Sequence, residues 1–342
     1  MLLLFILAMT ALAAVEEGEQ ELTGQALVDY LRTHQNLFEV EESEKNYERM
    51  KSVMSLDFEP KVRDEDRIKV VVDRELPESF NPLVGDDNYA YCKDIIRHIR
   101  DQSKCGSCWA VSAAEVMSDR LCVQSKGKIK HQLSDTDILA CCGVFCGKGC
   151  RGGWPIKAWE WIKENGVCTG GRYSTKGVCK PYAFYPCGNH TNEKWYGECP
   201  SSYWPTPKCR TVCKYGYRKP YEQDKYYAKS AYTLPKDEAA IRKEIMENGP
   251  VQATFTVYQD FYLYRKGVYK HMGGWKTGAH AVKILGWGTE KITNSTHTID
   301  VPYWLIANSW NVDWGEQGYF RMIRGEDNCG IESSVTVGIM VA

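Results

Sequence analysis

Three side chains far apart in a 342-residue chain have the types that nucleophilic acyl transfer needs: a thiol, an imidazole and an amide. Cys108 lies in the run Gln102-Ser103-Lys104-Cys105-Gly106-Ser107-Cys108-Trp109, and the residues after it have helical periodicity. A thiol at a helix N-terminus lies beside unpaired N–H groups and the positive end of the helix dipole, which favour the nucleophilic thiolate. His280, in Gly278-Ala279-His280-Ala281, opens one strand-like run, and Asn308, in Asn308-Ser309-Trp310, closes another. The imidazole can exchange a proton with Cys108, and the Asn308 side-chain oxygen can accept from the far ring nitrogen and fix the tautomer, with Trp310 as a shield. Cys105 and Cys108 as a redox pair or half a zinc site would carry weight only if no base lay downstream. His34 falls in an acidic N-terminal segment, and His98, His131, His271 and His297 lack a supporting motif and read as surface or structural.

The nucleophile is predicted on a helix and its partners on strands. Cys108 to Val123 puts Val111, Ala114 and Leu121 on helical faces, whereas Ala281 to Gly288 and Tyr303 to Ala307 are β-rich runs closed by Gly or Asn. Between them, Gly170 to Pro220 is loop-rich and dense in Cys, Pro, Tyr and Gly. The chain has no internal repeat.

Composition narrows the class. With 43% apolar and 25% charged residues this is a globular chain of one large or two ordinary domains. A formal charge of −1 argues against a dedicated nucleic-acid binder. Met1 to Val15 is too short an apolar run to span a bilayer, and with Ala11, Ala13 and Ala14 it reads as a secretory signal, residues 1–14, rather than as a buried strand or helix. Fifteen cysteines, all but two of them from Cys105 to Cys213, suit an oxidising compartment, and the odd count leaves at least one thiol without an intramolecular partner. Val15 to Glu75 has no cysteine and carries 17 acidic and 9 basic residues; the remainder carries 34 basic and 27 acidic ones. Two oppositely charged pieces on one chain predict a removable pro-segment, 15–75, helical at first around Leu22, Ala26, Leu27, Tyr30 and Leu31. A plain solvated acidic helix is the simpler alternative.

The Cys105 to Trp109 run matches the C-G-[SA]-C-[WY] signature of papain and cathepsin nucleophiles at every position. The chain from about Leu76 to Ile339 resembles the cathepsin B-like cysteine proteases of the papain superfamily. The likeness rests on Leu76-Pro77-Glu78-Ser79-Phe80, Ile99-Arg100-Asp101-Gln102, Asp135 to Gly153 with Cys141-Cys142, Tyr303 to Gly315, and Asp327-Asn328-Cys329-Gly330-Ile331-Glu332. It implies an α+β, papain-like two-domain fold with the active site in the cleft between a helical and a β-rich domain, in a mature enzyme spanning 76–342. It implies Cys108 as nucleophile, His280 as base and acid, Asn308 as orienting amide, and Gln102 with the Cys108 N–H as oxyanion donors. Substrate contacts are implied at Gly152, Gly153, Ala281, Trp310, Ser334 and His190. Implied disulfides are Cys92–Cys122, Cys105–Cys150, Cys141–Cys209, Cys142–Cys146, Cys179–Cys213 and Cys187–Cys199, with Cys168 and Cys329 left over. A zinc site drawn from Cys141, Cys142, Cys146 and Cys150 is the rival for four of these. Neither metal nor organic cofactor is expected. Partners implied are protein and peptide substrates, cystatin-type inhibitors and the chain's own pro-segment, with a monomer as the expected state and a lysosomal or extracellular location, gut lumen included.

His280 lies 172 residues after Cys108, where ~130–150 is usual for papain-type enzymes. The excess fits an insertion at about 179–213, where cathepsin B carries its occluding loop. Two histidines in that loop hold a substrate's terminal carboxylate and tie the loop to the body. Here the second has a match in His190 and the body Asp in Asp101, but the first is replaced by Asn189. Asn189-His190-Thr191 is also an N-glycosylation sequon, as is Asn294-Ser295-Thr296. Ser334 stands where vertebrate cathepsin B has the Glu that accepts a basic P2 side chain, so apolar P2 residues are expected. Tyr303 to Glu316 resembles the haemoglobinase form found in blood-feeding helminths. The rival class is a non-catalytic scaffold used for adhesion or as a decoy, in which loss of Cys108, His280 or Gln102 would be expected; all three are present.

Overall fold

The computed structural model describes residues 22–84, 89–191, 193–293 and 298–342; the expected signal sequence, 1–14, and the Asn294 sequon lie outside them. The acidic N-terminal piece forms α1 (Gly24–His34), β1 (Phe38–Val40) and α2 (Glu44–Met50), and then runs to Glu75 with only short 3₁₀ turns. Leu27, Val28 and Leu31 form the buried side of α1, and Ser43 caps α2 by accepting from Asn46 N at 3.3 Å. This piece lies on a body that contains α3 (Lys93–Ile96), α4 (Cys108–Gln124), α5 (Asp135–Cys141), α6 (Pro155–Asn165), β2 (Tyr232–Thr233), α7 (Glu238–Asn248), β3 (Val251–Tyr258), β4 (Tyr264–Tyr269), β5 (Lys276–Thr293), β6 (Thr298–Ala307), β7 (Tyr319–Ile323) and β8 (Val335–Val337).

Helix α4 forms over the run expected to be helical, and it is buried all round: every residue from Cys108 to Val123 is covered, polar ones included. Trp109, Met117 and Leu121 join Leu133, Ile138, Trp159 and Ile162 in the core of the helical half. The other half is built on a sheet of strand order β1-β4-β7-β6-β5-β3-β8-β2, with Phe255, Val282, Trp304, Ile306 and Phe320 in its core. Together they make the α+β two-domain papain-like architecture. The halves meet where α4 packs on β5, and there Asp119 and Lys283, each about 1% exposed, pair at 2.8 Å. Breaking such a buried pair on one side costs about 3–5 kcal/mol, so it fixes the helix of Cys108 against the strand of His280.

The pro-segment completes the sheet. β1 pairs antiparallel with β4, Phe38 opposite Gly267. A side chain at Gly267 would meet Leu37 O at 2.4 Å and Phe38 Cα at 2.7 Å, and its φ of +105° also suits glycine alone. The insertion, 179–213, has no helix or strand among its described residues.

The disulfides explain how so irregular a stretch stays in place. The structure joins Cys92 to Cys122, Cys105 to Cys150, Cys141 to Cys209, Cys142 to Cys146, Cys179 to Cys213 and Cys187 to Cys199. All four cysteines of the zinc alternative are thereby used, and Cys105 is not paired with Cys108. Cys108, Cys168 and Cys329 stand as free thiols. Cys168, Cys179 and Asp224 offer the one group of potential metal ligands found among the described residues, but Cys179 is committed to its disulfide.

Candidate active site

Cys108 is the first residue of α4, and His280 lies early in β5, opposite Phe255 of β3. Asn308 follows the end of β6. Strand pairing therefore brings His280 and Asn308 to one spot: β5 and β6 are neighbours, with Lys283 opposite Ala307. His280 Nε2 donates to Asn308 Oδ1 at 2.7 Å, which leaves the proton off Nδ1, and Nδ1 has no hydrogen-bond partner among the described residues. Trp310 stacks on the imidazole, ring centroids 4.8 Å apart and planes 25° apart, and covers that bond. The Ala281 N–H points at Cys108 Sγ, 3.4 Å away.

Gln102 is held at both ends. Its N–H donates to Ser309 O at 2.9 Å, and its Oε1 accepts from Ser309 Oγ at 2.6 Å. The amide is thus oriented with Nε2 toward the cleft, where it donates to Cys105 O at 2.9 Å and to Ser52 O of the pro-segment at 2.7 Å.

The pro-segment fills the cleft. Met54 exchanges two backbone hydrogen bonds with Ala279, at 2.9 and 3.0 Å, and Ser55 N donates to Arg151 O at 3.2 Å, so this segment touches both walls. Phe58 lies over Gly152 and Gly147; a side chain at Gly152 would meet its ring at 2.4 Å. Trp154 closes that recess edge-on at 5.2 Å. Tyr203, from the insertion, donates to Val53 O at 3.1 Å. Gly153 lies under Trp109, and Ser334 is buried in a 3₁₀ turn against β3.

Under this cover the electrostatics run opposite to the helix-terminus expectation. Cys108 and His280 are completely buried; burial pushes the thiol up to about 12, despite nearby backbone N–H groups, and pulls the imidazole down to about 4, despite Asn308. Both groups are neutral between those values. The desolvation penalty on two unscreened charges exceeds what the helix N-terminus supplies.

At the far end of the cleft a cavity of about 670 Å³ lies between α2 and the insertion, lined by Arg49, Asp101, Asn189, His190 and Trp310 among others. His190 meets Asp313 at 3.2 Å and Asp101 at 3.5 Å, so it bridges two carboxylates rather than one. Asp313 also receives Lys45 and Arg49 from α2. Half-burial would raise the Asp313 carboxyl, but His190, Arg49 and Lys45 together hold it well below the usual carboxylate range. His190 is likewise raised by Asp313 and Asp101 against its own desolvation. Asn189 is exposed at the rim. Asp313 escapes sequence reading: it is one Asp among many, and only the fold brings it to His190.

The profile of the papain family cysteine proteases matches residues 86–339. The chain is 47% identical over 323 residues to cathepsin B-like cysteine proteinase 1 of Ostertagia ostertagi, covering 93% of this chain and 90% of that protein. It is 45% identical over 345 residues to the gut-specific cysteine proteinase of Caenorhabditis elegans, covering 97% and 98%. Among solved structures it is similar to procathepsin B S9 from Trypanosoma congolense, with a TM-score of 0.74 and 30% identity over 94% of this chain and 99% of that one.

Proposed function

The chain belongs to the papain family of cysteine proteases, among its cathepsin B-like members, and we propose that it is a secreted or lysosomal endopeptidase held latent by residues 15–75. The observation that carries this is the segment Ser52 to Ser55 lying in the cleft with its Ser52 carbonyl on Gln102 Nε2 and Met54 bridged to Ala279. A signal sequence, 1–14, sends the chain into the secretory pathway, and removal of 15–75 leaves the mature enzyme, 76–342.

Once the cleft is open, water and the α4 N-terminus favour the charged pair. His280 Nδ1 takes the Cys108 proton, and the thiolate attacks the scissile carbonyl carbon. The oxyanion is received by Gln102 Nε2 and the Cys108 N–H. His280 then gives its proton to the leaving amine, a thioester remains on Cys108, and water, deprotonated by His280, hydrolyses it. Asn308 holds the imidazole orientation throughout. Digestive proteolysis in an acidic compartment, with haemoglobin among the substrates, fits the Tyr303–Glu316 stretch and the gut-specific relative.

Titration of the activated protein with an epoxide inhibitor of cysteine proteases tests the reading. One equivalent bound covalently at Cys108, with loss of peptide hydrolysis, is expected. Hydrolysis that survives complete labelling of Cys108 would overturn it.

A further inference from the structure

Ser107 occupies the N-cap position of α4, yet its hydroxyl caps nothing: no first-turn N–H donates to it. A serine there ordinarily accepts from the second or third helical N–H. Instead its Oγ lies 2.7 Å from the hydroxyl of Tyr182, which also lies 2.8 Å from Gln102 O. Gln102 O can only accept, so the single Tyr182 proton goes there, and Ser107 donates to the phenol oxygen at 2.7 Å in preference to the longer contact, 3.4 Å, that its hydroxyl makes with Cys105 O. All three groups are buried.

We propose that Tyr182 is a positioning residue for the oxyanion hole. Its role rests on the proposed proteolytic chemistry and adds a component to it. The two oxyanion donors, the Gln102 amide and the Cys108 N–H, stand at opposite ends of one irregular loop. Tyr182 is a side chain that reaches both ends: it fixes the Gln102 carbonyl, hence the plane from which the amide extends, and it draws the Ser107 hydroxyl away from the helix terminus. Ala110 N–H donates to Ser107 O at 2.8 Å, so the first-turn N–H groups left for the substrate oxygen and the thiolate are those of Cys108 and Trp109, and a side-chain cap on the Trp109 N–H would compete with the thiolate.

Tyr182 sits three residues after Cys179, so the support comes from the insertion. The Tyr182 ring meets Phe184 edge-on at 5.6 Å, and Phe184 stacks on Trp204 at 5.4 Å with planes 7° apart. Trp204 donates from its indole to Ser103 Oγ at 3.0 Å and from its backbone to Lys104 O at 2.9 Å. The insertion therefore grips the Gln102–Ser107 loop at both ends and along its middle, besides covering one end of the cleft.

The test compares activated wild type, Tyr182→Phe, Ser107→Ala and the double variant. Each is first titrated with the epoxide, whose stoichiometry counts the Cys108 thiols competent to react. Failure of the wild type to label would sink the catalytic reading itself. Each is then assayed for kcat and KM, and for affinity toward a peptide aldehyde, whose thiol adduct puts an oxygen in the oxyanion hole. Tyr182→Phe should keep full labelling and near-normal KM, while kcat and aldehyde affinity each fall about tenfold or more, within the range seen when oxyanion donors are disturbed. Ser107→Ala should show the same pattern, and the double variant should lose little more than either, because both act through one chain of hydrogen bonds. If Tyr182→Phe does not fold, Ser107→Ala decides by the same measurements. Wild-type aldehyde affinity and kcat in a folded variant, or a loss confined to KM, would overturn the proposal.

Discussion

Gln102 Nε2 donates to the Ser52 carbonyl at 2.7 Å, so a side chain suited to receive a substrate's developing oxyanion instead holds a peptide oxygen of the chain's own pro-segment. On the proposed reading the covering segment uses the donor that a substrate would, and burial keeps the pair beneath it neutral, so latency and catalysis would draw on one set of donors.

Cys108→Ala should abolish peptide hydrolysis while the protein still folds and is secreted. Asn308→Ala should retain the nucleophile and lose about 10²–10⁴-fold in kcat, as a general base does when its orientation is degraded. Steady-state kinetics on purified, processed variants checks both; normal turnover by Cys108→Ala would refute the mechanism.

Processing near Glu75 should quicken in acid and in high salt. Asp57, Glu59 and Asp73 of the pro-segment are hydrogen-bonded to Lys148, Lys276 and Lys243 of the body, and each carboxyl is lowered by that partner. A depressed carboxyl stabilises the closed state above its free value, near ~4, and that stabilisation is lost as pH falls through the bound value. His190, raised by Asp313 and Asp101 against its own desolvation, behaves in the opposite sense: its contribution is complete in acid and disappears as pH rises through its bound value. Acid therefore loosens these three ties, whereas those of Lys45 and Arg49 to Asp313, whose carboxyl is held well below the usual range, and the His190 latch persist. Screening shortens from ~8 Å at physiological salt to ~3 Å at 1 M, which weakens the exposed pairs at neutral pH. Cys108→Ala precursor cleaved by a trace of active enzyme, with rates corrected by a separate peptide substrate, gives the measurement. Rates flat in both pH and salt would show that packing alone holds the pro-segment.

Asn189→His should raise the dipeptidyl-carboxypeptidase share of activity, and the wild type should have a higher endopeptidase-to-exopeptidase ratio than cathepsin B. Of the two loop positions, His190 is tied to Asp101 and Asp313, whereas Asn189 faces solvent at the rim of the cavity. Equal trimming of C-terminal dipeptides by both variants would end this reading.

Ser334→Glu should narrow the gap between apolar and basic P2 residues. In the wild type, peptides with Leu, Val or Phe at P2 should be cut with higher kcat/KM than those with Arg, by about tenfold or more if a guanidinium is left without a counter-charge in a partly dry pocket. A panel of P2-varied substrates reads this directly, and a wild-type preference for Arg would point to another carboxylate.

Cys108 and Asn308 are legible in the sequence because each sits where an element begins or ends, and His280 because it precedes a β-rich run, although β5 itself begins earlier, at Lys276. The illegible part depends on distance in sequence. Asp313 meets His190 across 123 residues and Lys45 across 268, and nothing local distinguishes it from other aspartates. Tyr182 is hidden for a different reason: one tyrosine among 21 shows no pattern, and its role rests on a proton count at a single hydroxyl. The thiol's ionisation in the closed state departs from the sequence expectation because a helix terminus is a local feature and burial is not.

Removal of β1 has an effect remote from the cleft. β4 then becomes the outermost strand of the sheet, with a row of backbone groups facing water. Such an edge invites another extended chain to dock, and proteins commonly guard it with charge. Arg265 and Lys266 lie on β4, and in the precursor they pair with Glu39 and Glu41. Were residues 15–75 removed, Arg265 and Lys266 would lose these acids and stand on the uncovered edge as two cations, a charge pattern that would repel a second copy of the same edge.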